Sequence, residues 1–119
     1  MSQVTIQYDR NMQVMEQDIY ETGKGNVYLD HLLEEPELNE KCNLYARVTI
    51  KPGDALHVHQ HVGEAETYYI LQGTGLYNDN GKEMTVTPGY VTYTGDGESH
   101  GIKNIGKEDL VFMALIIRG

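Results

Sequence analysis

The stretch of sequence that decides the fold spans residues 53–73 and reads GDALHVHQHVGEAETYYILQG. It places His57, His59 and His61 at alternate positions, and Glu66 follows five residues after the last of them. In a β-strand, residues two apart point to the same face. A strand here therefore turns His59 and His61 in one direction, as a divalent cation requires of paired imidazoles.

A second strand is predicted over residues 66–71, after a turn at residues 62–63. We expect a hairpin in which this strand runs back beside the first and brings Glu66 beneath His59 and His61. A fourth candidate ligand, His100, lies downstream in GDGESHGIKN, residues 95–104, and must arrive through the tertiary fold. Three neutral imidazoles and one carboxylate make a mixed nitrogen and oxygen site that suits a first-row divalent metal.

The composition of this ligand set narrows the choice of metal. A carboxylate without a thiolate favours Mn²⁺ or Fe²⁺, and Co²⁺, Ni²⁺ and Zn²⁺ remain alternatives. Four protein ligands on an octahedral ion leave two adjacent positions for water, a bidentate anion or dioxygen. With a divalent ion the site carries a charge of about +1, so it attracts a small carboxylate ligand.

The spacing of these residues and of the surrounding glycines resembles that of the cupin superfamily. The first cupin motif is a glycine, five residues, His-x-His, four residues, a glutamate, six residues and a glycine, and residues 53–73 match it throughout. The second motif is met with the family's spacing, apart from a glycine where proline is usual, by Gly89, Gly95, Gly97, His100 and Asn104.

This resemblance covers residues 46–117. It implies an all-β fold, the antiparallel double-stranded β-helix or cupin jelly-roll barrel. It also implies that His59, His61, Glu66 and His100 bind a metal inside the barrel. Within the superfamily, the chain is most similar to small single-domain bacterial proteins of the cupin 2 type that are described as oxalate-decarboxylase-like.

The 119 residues suffice for one domain. We expect an N-terminal arm with edge strands over residues 1–45 and the barrel core over residues 46–119. Strands are predicted over residues 44–50, 83–87, 90–94 and 110–117, a strand or short helix over residues 27–33, and a loop carrying His100 over residues 95–101. The last strand, LVFMALII, is apolar on both faces. A covered outer face follows, and we expect a homodimer.

Composition excludes several classes of partner. The net charge is −9, with eighteen acidic against nine basic residues, which argues against nucleic acid and anionic membranes. No apolar run approaches the ~20 residues of a membrane span. A single cysteine, Cys42, permits no internal disulfide and fits a cytoplasmic protein.

Three residues are candidates for catalysis near the metal. His57 shares the alternation of His59, so it either faces the cavity, where it takes a proton from a substrate, or makes a hydrogen bond at the barrel rim. Tyr68 shares the alternation of Glu66 and is expected to line the pocket. Arg47 is a candidate anchor for a carboxylate, and its place in the alternation turns it inward only if its strand is regular. His31 is interpreted as a surface histidine and Glu64 as a solvated acid in the turn.

Two functions stay open at this point, and a third is less favoured. The protein is either a metal-dependent enzyme acting on a small carboxylate or oxygenated metabolite, such as a decarboxylase, dioxygenase or isomerase, or a non-catalytic metal-containing module that binds or senses such a molecule. The third is a metal-free, sugar-binding cupin. A polar core network without metal would use the same four side chains.

Overall fold

Every regular element of the computed structural model is a β-strand, within the residues that the structure describes, 14–17 and 27–119. The predicted all-β class is confirmed. In that part of the chain no helix is long and apolar enough to cross a membrane. The strands are β1 (Val14–Gln17), β2 (Val27–Leu33), β3 (Cys42–Ile50), β4 (Ala55–Gln60), β5 (Glu64–Gln72), β6 (Gly75–Asp79), β7 (Lys82–Val86), β8 (Val91–Thr94), β9 (Ser99–Asn104) and β10 (Leu110–Arg118).

The strands form two antiparallel sheets that enclose one core. The larger sheet has the order β1-β2-β3-β10-β5-β8 and the smaller one β4-β9-β6-β7. In strands β5, β8 and β10 alternate residues are buried, as expected when one face of a sheet packs on a core. The buried cluster draws from both sheets and includes Val27, Val48, Ile50, Leu56, Ile70, Tyr77, Val86, Ile102, Leu110 and Phe112.

Strands β4 and β5 follow one another in the chain but belong to opposite sheets. The predicted hairpin is therefore wrong. Gly63, with φ of +75°, turns the chain from one sheet into the other. The chain also crosses from one sheet to the other between β3 and β4, between β5 and β6, and at each of the three connections from β7 to β10. As a result, Glu66 approaches His59 and His61 across the barrel rather than along one sheet.

His100 lies in a strand, β9, rather than in the predicted loop. The alternation of inward-facing and outward-facing residues could not be recognised in the sequence, because the residues of SHGIKN are mostly polar or glycine. Within it, His100, Ile102 and Asn104 are all buried and face the barrel interior. His100 is paired directly with His59 of β4. The side chain of Asn104 donates to the carbonyls of Ile50 and Glu108, both at 2.8 Å, and so joins the two sheets at the end of β9.

A β-bulge interrupts the pairing of β4 with β9. Leu56 is opposite Ile102 and His59 is opposite His100, so three steps along β4 match two along β9. The extra residue moves the following side chains to the other face of the sheet. Leu56 and His59 consequently both face the interior.

The predicted division of the chain at residues 45/46 falls inside β3. Strand β2, for which helix and strand were both open, contributes Val27 and Leu29 to the core. Of the predicted N-terminal arm, residues 1–13 and 18–26 lie outside the described residues, and residues 14–17 form β1, which pairs with β2.

Candidate metal centre

The four predicted metal ligands meet between the two sheets. His61 Nε2 and His100 Nε2 each lie 2.9 Å from Glu66 Oε1, and the two nitrogens are 3.0 Å apart. One ligand atom from each of His59, His61, Glu66 and His100 lies within 4.8 Å of the others. An octahedral ion ~2.1 Å from its ligands spaces neighbouring ligand atoms about 3.0 Å apart, so these distances fit a first-row divalent ion.

Each histidine is oriented by a hydrogen bond at its Nδ1 atom. His59 Nδ1 lies 2.7 Å from the carbonyl oxygen of His57, and His61 Nδ1 lies 2.6 Å from Glu64 Oε2. These partners are acceptors, so each Nδ1 carries the proton and each Nε2 presents a lone pair. Lone pairs that converge with a carboxylate are stabilised by a cation placed among them, which is the chemistry that this donor set fits.

His100 is held by the hydroxyl of Tyr77, which lies 2.8 Å from its Nδ1 and 2.9 Å from Thr94 Oγ1. When Nε2 of His100 coordinates a metal, the ring proton is on Nδ1, which then donates to the Tyr77 hydroxyl, and that hydroxyl donates onward to Thr94. Burial raises the pKa of Tyr77, so the phenol stays neutral in this chain of hydrogen bonds. Tyr77 was not identified from the sequence, because it lies on another strand with no spacing to the histidines.

The site is buried but opens on the side of His59. Glu66 and His61 are each 5% exposed and His100 is fully buried, whereas His59 is half-buried. Burial lowers the pKa of His59 below 6.5, and the hydrogen bond to the His57 carbonyl only partly offsets this. The imidazole is therefore neutral at pH 7, as a metal ligand must be.

His57, predicted to face the cavity, lies outside it. The bulge after Leu56 changes the alternation, so the exposed ring of His57 lies in a shallow depression on the outer face of the smaller sheet, with Val58, Leu76 and Lys103. The predicted orientation was wrong because it assumed a regular strand through residues 57–61. Only the backbone carbonyl of His57 contacts the cluster, through His59.

Arg47 also faces outward, although β3 is regular around it, because its neighbours Ala46 and Val48 occupy the inner face. Its guanidinium pairs with Asp30 at 2.6 Å on the opposite face from the cluster, so the inward-facing alternative is wrong. Tyr68 does reach the centre. It is 1% exposed and its ring is stacked on His100 with centroids 4.9 Å apart.

Two further residues differ from the sequence interpretation. His31 is half-buried on the inner face of β2, opposite Ala46, and its Nε2 atom is buried without a hydrogen-bond partner. Glu64, expected to be solvated, binds the ring of His61. The three-residue spacing of His61 and Glu64 across the Gly63 turn is the one signal that could have revealed this contact.

Comparison with known proteins agrees with this architecture. The family model "Cupin domain" matches residues 46–116. An oxalate-binding protein of Thermotoga maritima is 46% identical over 95 residues, covering 80% of this chain and 78% of that protein. The crystal structure of a predicted oxalate decarboxylase from Thermotoga maritima is similar with a TM-score of 0.86 and 37% identity, covering 92% of this chain and 95% of that one.

A more distant structure shares the fold alone. The cupin domain of Cnp3 from Schizosaccharomyces pombe has a TM-score of 0.73 at 20% identity, covering 92% of this chain and 70% of that one. The family match extends over more than half of this sequence and includes all four converging side chains. The chain therefore belongs to the cupin domain family.

Proposed function

We propose that the protein binds a divalent metal ion, Mn²⁺ or Fe²⁺, through His59, His61, Glu66 and His100, and that this ion binds a small carboxylate such as oxalate. The observation that carries the proposal is the convergence of two imidazole nitrogens and a carboxylate oxygen at 2.9–3.0 Å in a buried site. The similarity to an oxalate-binding protein supports a small carboxylate as the ligand.

When bound, the ion supplies Lewis acidity, which polarises a coordinated carboxylate. The protein's own part is to hold the ligands. Tyr77, Glu64 and the His57 carbonyl orient the three imidazoles, and Tyr68 packs beneath His100. Because His59 borders the open side of the site, a carboxylate enters there.

Binding without turnover is the function that the geometry supports best. Proton transfer was assigned to His57 and substrate anchoring to Arg47, and both side chains face away from the cluster. Catalysis, by an oxalate-decarboxylase-like or dioxygenase-like reaction, is the second candidate. It is favoured by the similarity to a predicted oxalate decarboxylase.

The proposal is tested by elemental analysis of protein purified without added metal, followed by thermal shift with oxalate. We expect close to one metal per chain and a rise in melting temperature with oxalate that disappears after chelation. His61→Ala should lose metal and oxalate binding together, whereas His57→Gln, on the outer face, should keep both. Absence of metal in the wild type, both as purified and after reloading, would overturn the proposal.

We further propose a homodimer formed by the outer face of the larger sheet. This outer apolar face comprises Tyr69, Val91, Tyr93, Met113 and Leu115. Tyr69, Val91 and Tyr93 are 48%, 67% and 64% exposed, and they lie on the adjacent strands β5 and β8. Contiguous exposed apolar side chains on one sheet are typical of an interface.

The single cysteine, Cys42, supports a cytoplasmic location.

A further inference from the structure

A chain of three polar side chains leads from the cluster to the surface. Glu64 Oε2 lies 2.6 Å from His61 Nδ1, and Glu64 Oε1 accepts a hydrogen bond of 2.8 Å from the side-chain amide of Asn43. The oxygen of that amide accepts two hydrogen bonds from Arg118, at 2.9 Å from Nε and 2.7 Å from an NH2 group. We call Glu64, Asn43 and Arg118 the Glu64 relay.

We propose that Glu64 is a positioning residue that sets the metal affinity of His61, and that Asn43 and Arg118 act on the metal only through it. The inference rests on the proposed function, since it assumes that His61 is a metal ligand. It assigns a role to three residues outside the ligand set, two of which lie at the rim of the barrel.

The partner of His61 differs in kind from those of the other two histidines. His59 donates to a backbone carbonyl and His100 to a phenol, both neutral acceptors. At Nδ1, His61 alone of the three histidines has a carboxylate as its partner, and a charge-assisted hydrogen bond is about twice as strong as a neutral one. An anionic acceptor at Nδ1 fixes the ring and makes Nε2 a stronger electron donor to a cation.

Three segments of backbone hold the Glu64 relay in place. Arg118 of β10 is opposite Glu64 of β5 in the sheet register. The backbone amide of Arg118 donates to the carbonyl of Lys41 at 3.0 Å, and the backbone amide of Gly119 donates to the carbonyl of Gly63 at 3.1 Å. These contacts place Asn43 between the guanidinium and the carboxylate. Both carboxylate oxygens of Glu64 are thereby hydrogen-bonded, although the side chain is 23% exposed.

The test measures the dissociation constants of Mn²⁺ and Co²⁺ by competition with a chromophoric chelator. Glu64→Ala should weaken metal binding about 10- to 100-fold, the usual effect of removing such a partner. Glu64→Gln keeps an acceptor without the charge, so its loss should be smaller. In NMR spectra, the hydrogen-bonded Nδ1–H proton of His61 should shift upfield in Glu64→Gln and broaden in Glu64→Ala.

A double-mutant cycle separates the relay from a general effect of charge. Asn43→Ala should weaken metal binding several-fold in the wild type but leave the affinity of Glu64→Ala unchanged, because both changes act through one contact. Arg118→Ala should behave in the same way. Glu83→Gln removes an equal charge from an exposed position of β7 and should have no effect.

The outcomes distinguish this inference from the proposed function. If the wild type binds no metal, the proposed function fails and the inference with it. If the wild type binds metal and Glu64→Ala binds it equally well, only the inference is overturned. Additive effects of Asn43→Ala and Glu64→Ala would also overturn it. Should Glu64→Ala not fold, Glu64→Gln and Asn43→Ala complete the cycle.

Discussion

Gly101 lies directly against the backbone of Val58 in the neighbouring strand. A Cβ atom on Gly101 would meet the amide nitrogen of Val58 at 2.9 Å and the carbonyl oxygen of Leu56 at 3.0 Å. Strand β9 therefore approaches the bulge in β4 too closely for a side chain at position 101. The bulge turns Leu56 and His59, but not His57, toward the interior.

Replacing Gly101 should disturb the metal site from the outer side of the sheet. Gly101→Ala forces β4 and β9 apart, and overpacking of this kind costs about 1–3 kcal/mol. We expect a lower urea midpoint and weaker metal binding, because His59 and His100 are paired across the same two strands. Gly106→Ala is a control for glycine loss, since the φ of Gly106 is not in the left-handed region and its added Cβ would meet its nearest atoms at 3.6 Å, an ordinary contact. Unchanged metal affinity in Gly101→Ala would contradict the prediction.

Tyr77 should support both stability and metal binding through His100. Tyr77→Phe leaves the buried Nδ1–H of His100 without an acceptor, which costs about 1–3 kcal/mol. The loss of a partner at Nδ1 should also weaken metal binding about 10-fold. Calorimetry and chelator competition measure the two effects. Tyr90→Phe, at a tyrosine that is 46% exposed and outside the proposed dimer face, should change neither.

The metal-free protein should lose stability as the pH falls below 6.5. Burial lowers the pKa of His59 from 6.5, so in this range the unfolded chain binds more protons than the folded one. The contribution of His59 to the free energy of unfolding is therefore fully present above pH 6.5. It is lost as the pH falls through the pKa of His59 in the folded state. Urea titrations at several pH values should show this decrease, and His59→Gln should reduce it. An equal decrease in both proteins would rule out His59 as its source.

Asn104, the last residue of the second motif, should matter for stability rather than for metal binding. Its amide donates to the carbonyls of Ile50 and Glu108, and its oxygen accepts from the amide of Gly106 at 2.9 Å. Asn104→Ala leaves these buried groups unpaired and should cost about 2–4 kcal/mol in urea unfolding. Lys103→Ala, at the exposed neighbouring position, should cost little. A metal-free Asn104→Ala that unfolds like the wild type would contradict this role.

The proposed dimer should depend on the outer apolar face. Lysine at Tyr93 or Val91 places a charge in the interface, so either variant should be monomeric by light scattering while remaining folded. Val58→Lys tests a matched position, because Val58 is 56% exposed on the outer face of the other sheet. A monomeric wild type, or a dimer that is lost only with Val58→Lys, would show that this face is not the interface.

Much of the fold and the candidate site could be predicted from local spacing. Alternation and turn residues predicted most of the strands, because a half-buried strand repeats every two residues. The spacing of His59, His61, Glu66 and His100 matches the cupin motifs, and this resemblance predicted that they converge. The strand around His100 was missed, because glycine and polar residues obscure its period.

The sequence by itself determined which side chains come together, because their spacing matches the two cupin motifs. Only the tertiary structure decided which way the remaining candidates face. His57 is turned outward by a bulge in β4 that packs against Gly101, more than forty positions away. Glu64 acquired its role through Asn43 and Arg118, from two other strands. Contacts between distant strands set these orientations, and no short-range pattern encodes them.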